Sequence, residues 1–322
     1  TGDAVFNEYT TTLAGNATRN YNARFGKGAQ AGNTFSYDGG YYGDGVTTSQ
    51  TNYNTSVLQA AYNKHFKDPL ITDVDLLLGG AAGPTMSAFL VDLAEERKDC
   101  IAFISPPANV TGNEANDITF SESLTGLTSD AVITYRTNQG FNTSYAFLDS
   151  GWKYQFDQYN DVFRWFPLNG DIAGLVARTE DTTVPFFSPA GFNRGKIKNV
   201  VKLAYNPQKA DRDRLYQNGI NPVVSFPGEG TVLFGDKTLQ RRPSALDRIN
   251  VRRLLISLEK SISTAAKFQL FEQNDAFTRR AFVGSITPFL RKVQSQRGIT
   301  DFRVICDETN NTAEVVSRNQ FV

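Results

Sequence analysis

The sequence predicts an α/β first domain, with a parallel-type sheet flanked by helices, followed by a smaller α+β C-terminal domain with two helices and a small sheet. Short apolar runs alternate with helical patterns in the first part, and two long amphipathic patterns dominate the second. The charge also changes sign between them. Residues 1–195 hold 12 Lys+Arg against 21 Asp+Glu, a net −9, and residues 196–322 hold 21 against 12, a net +9.

The first domain begins with a stretch rich in Gly, Asn, Thr and Tyr, residues 1–55, for which we expect loops with short strands. A strand–helix alternation follows. Predicted strands cover 73–78 ("DVDLLL"), 101–105 ("IAFIS") and 145–151 ("YAFLDSG"), and predicted helices run from "GGAAGPTM" to about 98 and over much of 121–138. Strands joined by helical crossovers run parallel, so these three should form one parallel sheet.

An aromatic segment comes next. Trp152, Tyr154 and Phe156 alternate with polar residues, as do Phe163 and Trp165, which predicts paired strands. A short helix is expected over 171–178. The turn-rich "SPAGFNRG" at 188–195 coincides with the change of charge, and it places the domain boundary between 195 and 196.

The second domain is predicted to open with a hairpin in "TVLFGDKTL" that turns near Gly235 and Asp236. Asp247 should cap a helix over 247–271, with a second helix over 275–297. Strands in "DFRVICDE" and "AEVVSR" should complete a small sheet. One face of the first helix carries Leu254, Leu255, Leu258 and Ile262, expected to be buried against Phe282 and Val304.

Residue types that carry catalysis are scarce. His65 is the single histidine, and no Gly-x-Ser-x-Gly elbow occurs, which disfavours a nucleophilic triad. Cys100 and Cys306 are the two cysteines, both in or beside apolar runs. We expect buried thiols rather than a disulfide framework or a zinc site. The sequence thus predicts no enzyme, no cofactor and no metal site.

Two glycine-containing motifs resemble phosphate loops only superficially. "LLLGGAAGP" follows a strand and opens a helix, but it lacks the dinucleotide spacing and the P-loop lysine, which favours a turn that lets strand and helix pack closely. "GDKT" lacks the upstream Walker glycine. The arginines of "GDKTLQRRPSALDRINVRRLL" alone are weak evidence for nucleic-acid binding. No apolar run approaches the ~20 residues that span a bilayer, so no membrane insertion is expected.

The order of longer motifs is informative. The chain contains, in sequence, "DCIAFISPP", "WKYQFDQYNDVFRWFPL", "DIAGLVART", "SPAGFNRG", "RDRLYQNGINPV", "LFGDKT", "DRINVRRLL", "FTRRAF", "CDETNNT" and "RNQFV". Together they closely resemble the tail sheath proteins of T4-type contractile-tailed phages. The resemblance runs from about 99 to 322 and is much weaker over 1–72.

The resemblance implies a structural polymer subunit. Sheath subunits of that family form stacked six-fold rings around a rigid tail tube and slide from an extended, high-energy state into a shorter, wider one, without nucleotide hydrolysis. The implied partners are other sheath subunits, the tail tube protein, and the baseplate and tail terminator proteins, with no direct nucleic-acid contact. The implied location is the virion tail sheath, assembled in the host cytoplasm. Open alternatives are the sheath of a related contractile injection system and, less favoured, a hydrolase or nucleic-acid-binding module.

Two candidate surfaces follow from the resemblance together with the charge pattern. Part of the basic surface of the second long helix is expected to face an acidic tube, and solvent exposure or pairing with the acidic domain of a neighbouring subunit are the open alternatives. The residues are Arg279, Arg280, Arg291, Lys292 and Arg297. The final strands should offer an edge for strand addition by terminal arms: Arg303, Val304, Ile305, Val315 and Val316.

The resemblance also implies that residues 1–195 are the sheath middle domain and 196–322 the inner domain of a longer protein. We expect the 322-residue chain, which lacks the terminal arms of the family, to stay monomeric or to aggregate irregularly on its own.

Overall fold

The computed structural model describes residues 11–13, 17–19, 58–108, 126–158, 161–318 and 320. The chain divides into two compact units, Thr1–Arg252 and Arg253–Val322, here called the first and second units. The predicted loops and short strands of 1–55 lie mostly outside the described residues. Strands β1 (Thr11–Leu13) and β2 (Ala17–Arg19), which pair antiparallel, are described there.

The first unit continues with helices and strands in alternation. In chain order they are α1 (58–66), β3 (Leu76–Leu78), α2 (Pro84–Arg97), β4 (Ile101–Ile104), α3 (Ser129–Gln139), β5 (Ala146–Leu148), β6 (Trp152–Asp157), β7 (Val162–Pro167), α4 (Asn169–Thr182), β8 (Lys202–Leu203), α5 (Lys209–Gln217), β9 (Val223–Phe226) and β10 (Gly230–Leu233).

The predicted parallel sheet is confirmed. β3, β4 and β5 pair side by side in parallel, with Ala102 of β4 opposite both Leu77 and Ala146. Every residue of β4 is buried, as expected for a central parallel strand. The rings of Phe103 and Phe147 lie 5.6 Å apart on neighbouring strands, and they form part of the buried core of this unit.

Local sequence signals set the ends of the flanking helices. Pro84 stands at the start of α2, where its missing N–H costs nothing. Thr128 caps α3 by accepting a hydrogen bond from the N–H of Ala131, and Gly140 ends that helix in the left-handed conformation. At Gly79, an added Cβ would lie 3.1 Å from the carbonyl oxygen of Phe103, so this glycine lets the chain pass close to β4. The predicted close packing of strand and helix at this turn stays a prediction.

The aromatic segment forms the predicted antiparallel pair. β6 pairs with β7 along its whole length, and β8 pairs with its other edge. Tyr154 stacks on Phe163 with ring centroids 5.6 Å apart and also contacts Trp165. These cross-strand aromatic contacts stabilise a ladder whose outer face is partly exposed. The helix expected over 171–178 is longer, because it starts at Asn169 and ends at Thr182.

The predicted hairpin in "TVLFGDKTL" is wrong in position. The observed hairpin pairs β9 with β10, so its turn precedes residue 230 and Val232 lies in the second strand. Gly235 is required for another reason. An added Cβ would lie 2.8 Å from the side-chain oxygen of Asn221, so the glycine lets the backbone approach this residue closely.

Residues 196–252 belong to the first unit and pack on its earlier strands. Asn221 forms a parallel bridge with Asp149, and the N–H of Leu239 donates to the carbonyl of Ala146, so this segment extends along β5. Compactness therefore divides the chain at 252/253 rather than at the predicted boundary of 195/196. As a division between sheath middle and inner domains, the boundary at 195/196 stays a prediction.

The second unit is helical. A 3₁₀ turn, Ala245–Asp247, precedes α6 (Ile249–Lys267), which continues from the first unit into the second, and α7 (Ala276–Ser295) and α8 (Ala313–Ser317) follow. The expected capping role of Asp247 is wrong, since Ser244 caps the 3₁₀ turn and the α-helix starts later.

The predicted strands "DFRVICDE" and "AEVVSR" are also wrong for the described residues. The first segment has no ladder partner there, and Ala313–Ser317 is helical. The physical reason is local. Asp307 accepts hydrogen bonds from the N–H and the hydroxyl of Thr309, and the N–H of Asn311 donates to the Asp307 carbonyl, so the chain turns before the valines. One helical turn then closes with an ion pair between Arg318 and Glu314.

The predicted apolar face of α6 is partly confirmed. Leu254 and Leu258 are buried, whereas Leu255 and Ile262 are half-buried. The expected packing of this face on Phe282 and Val304 stays a prediction.

Candidate subunit interfaces

A cluster of buried polar side chains lies where the parallel strands end. Ser105 follows β4 and donates to a carboxylate oxygen of Asp149, 2.6 Å away, just beyond β5. The other carboxylate oxygen accepts from the N–H of Gly151 at 2.8 Å. Asn169, at the start of α4, donates to Ser105 and to the carbonyl of Gly80, which in turn donates its N–H to the Asn169 oxygen. These bonds join the ends of β3, β4 and β5 to α4.

This position is where α/β enzymes place their active sites, but here the side chains face each other. Ser105, Asp149 and Asn169 are 3%, 0% and 2% exposed, which leaves no opening for a substrate. Burial raises the pKa of Asp149 well above its ordinary value, although its bonds from Ser105 and Gly151 oppose that shift. The cluster can tie secondary-structure elements together, and its geometry offers no group to an external molecule.

The sequence analysis missed this cluster. A signal was present for two of its members, since Ser105 and Asp149 each come directly after a predicted strand, and carboxyl ends of parallel strands meet at one sheet edge. Asn169 follows an antiparallel strand, and no local pattern links it to the others.

The "GDKT" motif forms internal contacts instead of a phosphate loop. Asp236 accepts from Arg248 at 2.6 Å, from the hydroxyl of Tyr216 at 3.2 Å and from Ser188 at 3.1 Å. The ammonium of Lys237 lies 4.4 Å from the centre of the Tyr216 ring. Because the carboxylate and the lysine already have these contacts, the motif stabilises the connection between α5 and the start of α6.

The predicted basic interface residues fall into two groups. Arg279 is buried, and its guanidinium donates to the side-chain oxygen of Asn274 at 2.8 Å. Arg280, Arg291 and Lys292 are exposed on α7, and Arg297 is exposed just after it; these four have no ion pair within the described part of the chain.

Helical spacing explains the difference. Arg279 shares the buried face of α7 with Ile286, Leu290 and Val293. Arg280 and Arg291 lie about three turns apart on one exposed flank, and Lys292 points about 100° further around the helix. The basic charge therefore covers the outside of the helix on both flanks.

Asn274 is the centre of a polar network in the second unit that the sequence analysis missed. Its amide donates to the side-chain oxygen of Asn311 at 3.2 Å and to the carbonyl of Gln320 at 2.8 Å. Asn311 is buried and also contacts the sulfur of Cys306. The turn that replaces the predicted strands is thus fixed to the start of α7.

The candidate strand-addition residues are also divided. Arg303 and Ile305 are exposed and Val304 is half-buried, in a segment without a ladder partner among the described residues. Val315 and Val316 lie in α8, where the backbone is helical and offers no strand edge.

Large apolar side chains are exposed at the connection between α6 and α7. They are Phe268, Leu270, Phe271 and Phe277, and the side chain of Phe271 is fully exposed. A second aromatic group lies in the first unit, where the rings of Phe192, Phe226 and Phe234 are within 6.1 Å of one another and Arg212 lies over two of them. Exposed apolar groups of this kind mark contact surfaces.

Other functional features are sparse in the described ranges. His65 is exposed on α1. The described residues contain no group of three His, Cys, Asp or Glu side chains that could hold a metal ion. Among the helices of the described chain, none has the length and apolar character needed to cross a bilayer.

Family models match most of the chain. Residues 76–239 match the model of the phage tail sheath protein central domain, and residues 241–322 match the phage tail sheath C-terminal domain. The two matches are consecutive, and together they contain the parallel sheet and all the helices of the second unit.

Two curated relatives are both named tail sheath protein. The chain is 46% identical over 269 residues to the tail sheath protein of Vibrio phage KVP40, with 79% of this chain and 40% of the relative covered. It is 42% identical over 276 residues to the tail sheath protein of Enterobacteria phage T4, with 80% and 40% covered. The chain thus spans about 40% of the length of these relatives.

Solved structures of contractile systems have a similar fold. The sheath complex of an extracellular contractile injection system, PVC, in its contracted state matches with a TM-score of 0.64 at 19% identity, covering 84% of this chain and 74% of the other. A chain of the six-fold symmetrised baseplate of the anti-feeding prophage matches with a TM-score of 0.62 at 14% identity, covering 86% and 69%. At 14% and 19% sequence identity, these matches show a similar fold and nothing further.

Proposed function

The chain belongs to the phage tail sheath protein family, and we propose that it forms the inner part of a contractile tail sheath subunit. The observation that carries the proposal is the consecutive match of both sheath domain models over 76–239 and 241–322. The subunit polymerises with its own copies as stacked six-fold rings around the tail tube, and its contraction drives the tube through the host envelope.

The role is structural rather than enzymatic. The polar residues at the carboxyl ends of the parallel strands are buried and bonded to each other. The lysine of "GDKT" lies over an aromatic ring instead of facing an open loop. Because these groups already have partners within the chain, the contacts support a structural role.

The tail tube is the proposed partner of the exposed basic side chains on and just after α7. Arg280, Arg291, Lys292 and Arg297 present cationic groups that are exposed and unpaired in the described chain. Exposed charge pairs are screened and individually weak, so they can set the position of a subunit on an acidic tube without preventing it from sliding. Arg279 is left out of this interface because it is buried against Asn274.

Strand addition from a neighbouring subunit is the second proposed contact. Residues 303–305 lie outside helices and strands and have no ladder partner among the described residues. The carbonyl of Ile305 accepts from the side chain of Asn310 at 2.9 Å, so the remaining backbone groups of this segment are the ones proposed to pair with an added strand. The helical Val315 and Val316 no longer belong to this edge.

Further partners and the location follow from the family. We propose contacts with the baseplate and the tail terminator, assembly in the host cytoplasm and a final place in the virion tail. A sheath of a contractile injection system is the alternative, supported by the fold likeness to PVC and the anti-feeding prophage. The 42–46% identity to phage tail sheath proteins favours the phage.

Electron microscopy of the full-length protein, produced with and without an acidic tube protein, tests the proposal. We expect ringed tubes in the wild type. The double variant Arg280→Glu, Arg291→Glu should lose tube-bound sheath while the fold stays intact. Arg242→Glu is the matched control, because Arg242 is also exposed but lies outside α7. Equal tube binding by both variants would contradict the basic interface.

A further inference from the structure

Arg136, near the end of α3, is a buried cation. The residue is 6% exposed, and the structure records no ion pair for it within the described part of the chain. Its single hydrogen bond is a long one, 3.4 Å from a terminal guanidinium nitrogen to the carbonyl oxygen of Leu239. Its Nε is buried and has no partner.

A second arginine makes the site still more cationic. Arg241 is exposed and follows two residues after Leu239, whose carbonyl accepts from Arg136. The backbone N–H of Arg241 is fixed by a 2.9 Å bond to the side-chain oxygen of Asn142. Burial, and then the charge of Arg241, lower the pKa of Arg136. Both effects disfavour a cation here, and no side chain among the described residues compensates the guanidinium.

Arg252 shows what a compensated buried arginine looks like in the same unit. It is 7% exposed, yet it bonds to Ser144 and, at 3.1 Å, to the hydroxyl of Tyr145. Its guanidinium carbon also lies 4.2 Å from the centre of the Tyr145 ring. The Nε of Arg252, like that of Arg136, is buried without a partner. The difference lies in the rest of the guanidinium, since cation–π contact and two side-chain bonds give Arg252 a structural role. Arg136 has none of these contacts.

We propose that Arg136 and Arg241 form an anion site that accepts a carboxylate from a second copy of this chain. A guanidinium with free donors binds a carboxylate through charge-assisted, often paired hydrogen bonds. A second copy supplies carboxylates in excess, since residues 1–195 carry a net charge of −9. On α2, Asp92 and Glu95 are exposed and unpaired within the described residues, which makes them the first candidates. The inference rests on the proposed self-assembly and adds a specific contact to it.

The stability of the isolated chain and its assembly should respond in opposite ways to Arg136→Met. Removing an uncompensated buried charge leaves the melting temperature of the isolated chain unchanged or raises it. The same change raises the concentration needed for tube formation by the full-length protein, by about tenfold or more, because the incoming carboxylate loses its partner. Arg242→Met removes a neighbouring exposed charge and should change neither quantity.

The contrast with Arg252 provides an internal reference. Arg252→Met should lower the melting temperature of the isolated chain, since it removes contacts that exist within one copy. If Arg136→Met lowers the melting temperature as much, Arg136 has the same structural role and the anion site is refuted. If Arg136→Met assembles at the wild-type concentration, no carboxylate binds there.

Cross-linking identifies the source of the carboxylate. The Arg136→Lys variant is assembled from equal amounts of ¹⁴N- and ¹⁵N-labelled full-length protein and treated with a carbodiimide, which joins an amine to a carboxylate in direct contact. Mixed-isotope peptides that link position 136 to an Asp or Glu of this chain are expected. A link to another protein, or none, overturns the inference. Failure of the wild type to form tubes at all would overturn the proposed function and this inference with it.

Discussion

Asn169 tests whether the polar cluster at the sheet edge is structural. Replacing it with Ala removes its bonds to Ser105 and Gly80 and leaves the N–H and C=O of Gly80 without these partners. An unpaired buried polar group costs about 1–3 kcal/mol. Because Gly80 is half-buried, the lower half of that range applies to each group. Alanine offsets about 0.5 kcal/mol through its better helix propensity. We expect a net loss of about 2.5 kcal/mol in the free energy of unfolding.

The assay is urea unfolding of the chain, followed by circular dichroism. Asn206→Ala is the matched control, because this exposed side chain also makes two backbone bonds, both to Ser225, at 3.0 and 3.1 Å. Water can replace those bonds, so the control should lose at most about 1 kcal/mol. Equal losses in the two variants would refute the reasoning that burial makes the Asn169 contacts strong.

Three further predictions follow from burial and pKa. Because the folded chain keeps the Asp149 proton to a higher pH than the unfolded chain, wild-type stability should fall as the pH rises above the ordinary pKa of 3.8, by up to about 1.4 kcal/mol per pH unit. Asp149→Asn should remove this dependence of the free energy of unfolding on pH. If denaturant titrations show that the free energy falls with pH at the same rate in wild type and variant, the prediction is contradicted. Leu258→Ala should lower the free energy of unfolding by about 2–5 kcal/mol. Leu255→Ala should lower it less, because Leu255 is half-buried. A larger loss for Leu255→Ala in the same titrations would place the core on the other side of α6. Burial raises the pKa of the Cys100 thiol to about 12, so a disulfide reagent should label Cys306 before Cys100 in the native chain, which peptide mapping can check.

The parallel sheet could be predicted because its signals are local. β4 and β5 are short apolar runs ended by a polar or turn residue, and the stretch between them has a helical pattern. Such runs lie in the core because apolar side chains are buried, and apolar residues can be recognised directly in the sequence.

The errors have two sources, a close approach between residues distant in sequence at Gly235 and a local turn at Asp307. Gly235 looks like a turn glycine in the sequence, but it is needed where the backbone approaches Asn221. The valines of "AEVVSR" have strand propensity, yet the preceding turn at Asp307 directs them into a helical turn. Strand propensity is weak when no partner strand is nearby.

For the candidate interface on α7, the sequence predicted only where the basic residues lie. The sequence shows where the basic residues of α7 are, and helical spacing separates Arg279 from Arg280 once the buried face is known. The buried state of Arg136 depends on residues about one hundred positions away, near Leu239, so no local pattern indicates it.

Cryo-electron microscopy of the full-length protein assembled around its tube tests the central claim most directly. We predict stacked six-fold rings, with the side chains of Arg280 and Arg291 within about 8 Å of tube atoms, the Debye length at physiological salt. A protein that remains monomeric under assembly conditions, or rings whose α7 lies farther from every tube atom, would contradict the account.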